Sequence, residues 1–181
     1  MRDNIINFIL FQIGWFACVL SAAAQQPGIG VLLASAIIVL HFWRAQYPRN
    51  EIMLVLTAML IGAAWDSLLV TFGWLDYASG TLISGTAPYW IVVMWALFAT
   101  TLNLSLRWLK QRYILAALLG AVAGPLAYSA GAGLGALQFV NPNHAFTALA
   151  IGWAVLTPVL IAASKRLDGY PAARTRELSW I

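Results

Sequence analysis

The chain has 181 residues, of which 62% are hydrophobic and 9% are charged, and its formal net charge is +4 at pH 7. An ordinary soluble domain is about 25% charged, so 10 basic and 6 acidic side chains are too few to cover a soluble protein of this length. Cys18 is the single cysteine, which excludes an internal disulfide and a cysteine-based zinc site. The composition therefore predicts an integral membrane protein, and membrane topology explains the modest positive charge better than a nucleic-acid partner does.

Six apolar stretches follow one another along the chain, and each is close to the roughly 20 residues that cross a bilayer as a helix. They cover residues 4–24, 28–44, 51–73, 87–107, 113–135 and 145–165. Short segments with turn chemistry separate them, including Pro27-Gly28 and Asn141-Pro142-Asn143. We therefore expect an all-α fold, a polytopic transmembrane six-helix bundle that forms a single membrane domain over residues 1–166, followed by a short tail over 167–181.

The basic residues are confined to alternate connections between these spans. They precede the first span, separate the second from the third and the fourth from the fifth, and follow the sixth: Arg2, Arg44, Arg49, Arg107, Lys110, Arg112, Lys165, Arg166, Arg174 and Arg176. Because cytoplasmic loops carry an excess of Lys and Arg, we expect both termini and the tail in the cytoplasm. One alternative stays open, since Arg2 and an apolar run ending in Ser21-Ala22-Ala23-Ala24 also resemble a cleavable signal peptide. The length of the run over 4–24 favours a retained first helix.

Asp66 lies within the third span, where an ionised carboxylate costs about 2.5–3.5 kcal/mol on insertion scales. We therefore expect its side chain to face protein or water and not lipid. At about 1.5 Å per helical residue, the same depth holds aromatic residues of other spans, and with the neighbouring indole they form a candidate substrate-binding site around the carboxylate: Trp65, Trp90, Trp95, Tyr128 and Trp153. An aromatic box of this kind suits a cation or an amphipathic head group. The alternative is a structural Asp66, satisfied by Ser67, Tyr128 or water.

Polar residues at a second depth, nearer the cytoplasmic side, form a candidate helix-packing patch: Gln12, Thr100, Asn103 and Thr157. Hydrogen bonds between helices in membranes are worth about 0.6 kcal/mol on average, so we expect the patch to join helices. A polar substrate pocket is the alternative.

The fifth span carries two small-residue motifs, Gly120 with Gly124 and Gly131 with Gly135. In membranes, glycines at this spacing let helix backbones approach closely. The seam they form packs either against another helix of the same chain or against a partner protein.

Several phrases resemble a family of small, uncharacterised proteobacterial inner-membrane proteins that is classed as a domain of unknown function. They are Trp65-Asp66-Ser67, the run from Ala87-Pro88 through Phe98-Ala99-Thr100-Thr101-Leu102-Asn103 to Leu109, and Gly124-Pro125-Leu126-Ala127-Tyr128 with the glycines that follow. The resemblance covers most of residues 4–165 and implies a multi-pass protein of the bacterial inner (plasma) membrane. It implies no established activity. It also implies proximity to genes for cyclopropane-fatty-acid-synthase-like enzymes, and so a link to lipid modification.

We expect the protein to bind or move a lipid or a small amphipathic molecule through a cavity near Asp66. The alternatives are a membrane enzyme or enzyme subunit in acyl-chain modification, and an assembly partner of other membrane proteins. No nucleophile motif, P-loop or dinucleotide fingerprint occurs, and His41 and His144 are predicted on opposite sides of the membrane. We therefore expect the lipid bilayer as a partner, with no metal, no cofactor and no nucleic acid.

Overall fold

The computed structural model describes residues 2–170 and contains six α-helices with one two-stranded antiparallel sheet. The helices are α1 Arg2–Ala23, α2 Pro27–Arg44, α3 Pro48–Thr71, α4 Tyr89–Leu102, α5 Tyr113–Gly133 and α6 Pro142–Arg166. The strands are β1 Leu75–Tyr77 and β2 Leu137–Phe139, and a short 3-10 helix covers Arg107–Leu109. The predicted all-α bundle is confirmed. The predicted tail lies outside the described residues from 171 onward.

Five of the described helices are long and apolar enough to cross a membrane, and α4, with 14 residues, is shorter. At about 1.5 Å per residue it spans about 21 Å. It nevertheless extends along α3 from near one end of that helix to near the other. The backbone N–H of Ala87, just before α4, donates to Ser67 Oγ at 2.9 Å, and Asn103 Nδ2, just after it, donates to Glu51 Oε1 at 2.6 Å.

The fourth apolar stretch was predicted to be helical over 87–107, and the helix instead ends at Leu102. The hydroxyls of Thr100 and Thr101 donate to carbonyls three residues earlier in their own helix, and such side chains compete with the backbone for its hydrogen-bonding groups. The backbone N–H groups of Leu104 and Leu106 both donate to the Thr101 carbonyl, which turns the chain. Non-helical backbone at this position is tolerated within a membrane because the turn is packed inside the bundle and not exposed to lipid.

Helix α4 is the central helix of the bundle. It packs along α3 and also against α1, α2 and α6, while α1 pairs with α2 and α5 pairs with α6. Nine of its residues are buried: Trp90, Ile91, Trp95, Ala96, Leu97, Ala99, Thr100, Thr101 and Leu102. Since lipid supplies no hydrophobic drive between helices, this arrangement is held by close packing and by interhelical hydrogen bonds.

The first small-residue motif of α5, Gly120 with Gly124, faces α6 of the same chain. A Cβ added at Gly120 would lie 2.3 Å from the Trp153 carbonyl oxygen, and one added at Gly124 would lie 2.3 Å from Trp153 Cγ. Both glycines are buried. The first motif is therefore occupied within the molecule and gives no reason to propose a partner protein there. In the second motif, Gly131 faces Leu137, and Gly135 is exposed beyond the end of α5.

The two ends of the bundle differ in chemistry. One end carries every Lys and Arg in the described part of the chain: Arg2, Arg44, Arg49, Arg107, Lys110, Arg112, Lys165 and Arg166. The opposite end is covered by the sheet, in which Leu75 pairs with Phe139 and Tyr77 with Leu137. The basic residues and the sheet thus lie at opposite ends of the bundle.

Candidate functional site

Asp66 lies near the sheet end of α3, and its carboxylate is fully buried. The Tyr77 and Tyr128 hydroxyls donate to Oδ1 at 2.7 and 2.6 Å, and Trp95 Nε1 donates to Oδ2 at 2.7 Å. The donors come from β1, α4 and α5, so four elements meet at one side chain. Hydrogen bonds to a charged acceptor are shorter and stronger than neutral ones, and these three fill most of the carboxylate's accepting positions.

The pairing of β1 with β2 brings Tyr77 to Asp66. Tyr77 pairs with Leu137, which anchors it between the connections that follow α3 and α5. Its side chain is only 7% exposed. The candidate site predicted from the sequence did not include this tyrosine, because nothing local in the sequence indicates a pairing across so many residues.

An apolar cavity of about 90 Å³ lies beside the Asp66 centre, between α1, α4, α5 and α6. Its thirteen lining residues include seven aromatic ones: Phe11, Trp15, Trp90, Trp95, Phe98, Tyr128 and Trp153. None of the thirteen is charged. Asp66 is not one of the lining residues and lies behind the wall. The wall residues Trp95 and Tyr128 separate the carboxylate from the cavity and donate hydrogen bonds to it.

The other predicted site residues take different places. Trp90 lines the cavity and donates from Nε1 to the Ser79 carbonyl at 3.0 Å. Trp153 lines it too and stacks on Trp95, with ring centroids 4.7 Å apart. Trp65 stands apart from the cavity, since its ring fills the space beside Gly152 on α6, where an added Cβ would lie 2.1 Å from it. Whether these residues bind a ligand remains a prediction.

Within residues 2–170, no recorded hydrogen bond joins Gln12, Thr100, Asn103 and Thr157 to one another. Thr100 donates to a carbonyl of its own helix, and the buried Thr157 hydroxyl has no partner. Asn7 makes the connection from α1 instead. Its Nδ2 donates to the Thr100 carbonyl at 3.2 Å.

A second buried polar centre lies at the basic end of the bundle, around Glu51, which is fully buried. His41 Nε2 lies 2.8 Å from Oε2. Asn103 Nδ2 and the backbone N–H of Gly169 donate to Oε1 at 2.6 and 2.7 Å. Sequence reasoning missed this centre, because an acid in the first turn of a helix, next to basic residues, is typical of a solvated helix start.

Residues 167–170, here called the C-terminal strap, close this centre. The backbone N–H groups of Gln46 and Tyr47 donate to the Gly169 carbonyl at 2.9 and 3.1 Å. The Tyr170 hydroxyl donates to the His41 carbonyl. Burial, reinforced by the charge of Glu51, raises the pKa of Tyr170 to about 12. The strap forms the start of the predicted tail, and it is bound to the connection between α2 and α3.

Asp168 carries the ionic contacts of the strap. Arg107 Nη2 lies 2.8 Å from Oδ1, and Lys110 Nζ lies 2.9 Å from Oδ2. Burial lowers the pKa of Lys110, and the hydrogen bond and charge of Asp168 oppose that effect. These contacts link the strap to the connection between α4 and α5.

The apolar helices, the central α4 and the buried polar centres define a multi-pass α-helical membrane protein. A family model described as a protein of unknown function, DUF2878, matches residues 4–159, and the chain belongs to this family. Searches of the curated proteins and of the solved structures gave no match. The family brings no activity, so a function must be argued from the cavity and the two polar centres.

Proposed function

We propose that this protein binds one end of a lipid or small amphipathic molecule in the aromatic cavity beside Asp66. The observation that supports this most is an uncharged cavity of about 90 Å³ inside a helical membrane bundle, with seven aromatic side chains among its thirteen lining residues. Ligand sites are typically concave, mostly apolar and partly preformed. The site consists of Trp90, Trp95, Tyr128 and Trp153 on the wall, with Asp66 behind them.

The cavity is entered from the bilayer, between α1 and α5. Both helices contribute to its wall, through Phe11 and Trp15 on α1 and Ala127 on α5, and all three residues are only half-buried. In the described chain, α1 packs chiefly along α2 and α4, and α5 packs along α6, so neither helix closes on the other. A molecule that diffuses in the lipid could therefore reach the aromatic side chains without crossing water.

The size of the cavity limits what enters it. An apolar cavity of about 150 Å³ holds benzene, and this one is smaller, at about 90 Å³. It accepts the end of an alkyl chain or one compact head group, and the rest of the ligand stays in the bilayer. Trp95 and Tyr128 cannot swing away to enlarge it without breaking their hydrogen bonds to Asp66.

The same proposal places the protein in the bacterial inner membrane with both termini in the cytoplasm. Every Lys and Arg between residues 2 and 170 lies at one end of the bundle, and such an excess faces the cytoplasm. The cavity residues lie toward the opposite end, beside the sheet. The bound group would therefore sit in the outer half of the bilayer.

The enzyme hypothesis has weaker support from this geometry. Asp66 lies close to two tyrosine hydroxyls, as an acid–base site would need. However, its side chain is fully buried and is not part of the cavity wall, and three donors already occupy its oxygens. A substrate in the cavity would meet the rings of Trp95 and Tyr128 before it met the carboxylate.

A binding titration tests the proposal. The full chain, in uncharged maltoside micelles, is titrated with decyl amphipaths that carry an anionic, a neutral or a cationic head. We expect a saturable change of tryptophan fluorescence with at least one of them, because four of the nine tryptophans line the cavity. Ala127→Phe places a phenyl ring in the cavity and should weaken this binding by at least about tenfold.

The matched control is Ala123→Phe, one turn earlier on α5, at an exposed position outside the cavity. It should bind as the unaltered chain does. The absence of a saturable signal with all three heads, or equal binding by the Ala127→Phe and unaltered chains, would overturn the proposed function.

A further inference from the structure

We propose that the group held in the cavity is a methylated ammonium, the cationic head of a small amphipath or lipid. This inference rests on the proposed function and specifies its ligand class. Three features of the molecule support it. They are the charge balance of the described residues, the chemistry of the cavity wall and the hydrogen-bonding capacity of that wall.

Asp66 stands out among the described acids because its partners are all neutral. The other buried or half-buried acids each have a basic partner within hydrogen-bonding distance: Glu51 has His41, and Asp168 has Arg107 and Lys110. The exposed Asp3 pairs with Arg44, and the exposed Asp76 accepts from Gln138 in water. A buried charge without a counter-charge is strongly unfavourable at membrane depth. A cation in the neighbouring cavity would favour the ionised form of Asp66, which burial without a counter-charge disfavours.

The wall between the cavity and Asp66 is suited to carry this interaction. Trp95 and Tyr128 line the cavity, and each donates a hydrogen bond of 2.7 Å or less to the carboxylate. Donation to an anion shifts electron density onto the donor's ring, which strengthens the negative potential of the ring face. Cations are attracted to such ring faces, and the attraction reaches about 2 kcal/mol or more when water is excluded. Trp95 packs against the stacked ring of Trp153 and against Gly62, so a cation in the cavity would meet the face of Tyr128 and of the remaining wall rings.

The hydrogen-bonding capacity of the wall selects among cations. The indole N–H groups of Trp90 and Trp95 and the Tyr128 hydroxyl are already donating to protein acceptors. The buried Trp153 indole N–H has no partner within residues 2–170, and as a donor it offers nothing to an ammonium. The aromatic and aliphatic side chains of the wall leave no carboxylate or carbonyl side-chain oxygen to accept from a ligand. A primary ammonium is strongly hydrated and needs acceptors for three N–H groups. A fully methylated ammonium needs none, and its methyl groups fit an apolar cavity of about 90 Å³.

The sharpest test compares choline with 3,3-dimethyl-1-butanol, which has the same shape but carries carbon in place of the charged nitrogen. Both are titrated against the full chain in maltoside micelles, with tryptophan fluorescence as the readout and ethanolamine as the unmethylated cation. We expect choline to bind at least about tenfold more tightly than the neutral isostere. Ethanolamine should bind more weakly than choline.

Two variants locate the effect. Asp66→Asn keeps the shape of the side chain and removes its charge, so the preference for choline over the isostere should fall to about twofold or less. Trp15→Leu, at the half-buried rim of the cavity, should weaken choline binding. The control Trp43→Leu, at an 82% exposed position away from the cavity, should bind choline as the unaltered chain does.

The outcomes separate the two proposals. If the unaltered chain binds choline and the neutral isostere equally, the ammonium inference is overturned while the cavity still binds amphipaths. If neither compound nor any decyl amphipath gives a saturable signal, the proposed function fails as well. Because the isostere comparison uses the unaltered chain, it remains decisive even if Asp66→Asn does not fold.

Discussion

At the scale of single residues, the Asp66 carboxylate and its three donors join elements that are far apart in the sequence. Tyr77 and Tyr128 both donate to Oδ1, and Trp95 donates to Oδ2. Hydrogen bonds between membrane helices average about 0.6 kcal/mol, and bonds to charged groups reach about 1.5–3 kcal/mol. The centre therefore acts as a structural tie in addition to any part in binding.

The Tyr77→Phe variant removes one donor and keeps the ring. We expect it to lower the free energy of unfolding by about 1–2 kcal/mol, because a buried carboxylate loses one of its three partners. The measurement is thermal unfolding in maltoside micelles, followed by the near-ultraviolet dichroism of the tryptophans.

Tyr47→Phe is the matched control for this substitution, since Tyr47 is 50% exposed and its hydroxyl makes no hydrogen bond within residues 2–170. It should leave the unfolding temperature unchanged. A Tyr77→Phe protein as stable as the Tyr47→Phe protein would contradict the assigned bond.

At the scale of elements, the α5–α6 pair depends on two glycines that leave room for the α6 backbone. Beside Gly120 the nearest atom to an added Cβ would be the Trp153 carbonyl oxygen, at 2.3 Å, a separation that real Cβ atoms essentially never show. Backbone atoms of a packed helix cannot move aside as a flexible side chain can. The whole of α6 would have to shift.

Gly120→Ala should therefore destabilise the protein by about 1–3 kcal/mol, the range for overpacking a well-packed interface. Gly133→Ala tests the explanation, because a Cβ at Gly133 meets nothing within 4 Å. That second change should be neutral or slightly stabilising, since alanine favours helix more than glycine does. Thermal unfolding of both variants in micelles measures the difference, and equal stability of the two would refute the close-packing explanation.

The elements also show which parts of the site the sequence could predict. The sequence could place Asp66, Trp95 and Tyr128 at a similar depth because the rise per residue of a helix is constant, and hydrogen bonds join them in the structure. Tyr77 lies in a connection whose path depends on the pairing of Tyr77 with Leu137. Because that contact links distant parts of the chain, no local pattern could reveal it.

The Glu51 centre shows the same limit at the other end of the bundle. Its burial depends on Asn103, where α4 ends early, and on Gly169, which is 118 residues away in sequence. An acid at a helix start is ordinarily solvated, whereas this one is fully buried. The helical spans follow from local composition, whereas the polar centres follow from contacts between distant segments.

At the scale of the whole molecule, the two ends of the bundle should lie on opposite sides of the membrane. Single cysteines introduced on a Cys18→Ala background test this arrangement. Ser84→Cys, in the exposed connection before α4, should react with an impermeant maleimide from outside the cell. Gln111→Cys, exposed at the basic end, should react only after the membrane is opened.

Reaction of both cysteines from the same side would contradict six crossings. Labelling of Gln111→Cys alone in intact cells would instead reverse the orientation, and the cavity would then lie in the inner half of the bilayer. Cys18 is buried in α1, so the parent chain should show little background labelling.

The C-terminal strap also sets an order of events during biosynthesis. Glu51 enters the membrane with the third helix, but the Gly169 amide that completes its shell is translated 118 residues later. Until then, water or the insertion machinery must accommodate the carboxylate. A nascent chain arrested before the strap would hold its helices with that end unsealed, so quality control could distinguish it from the finished protein.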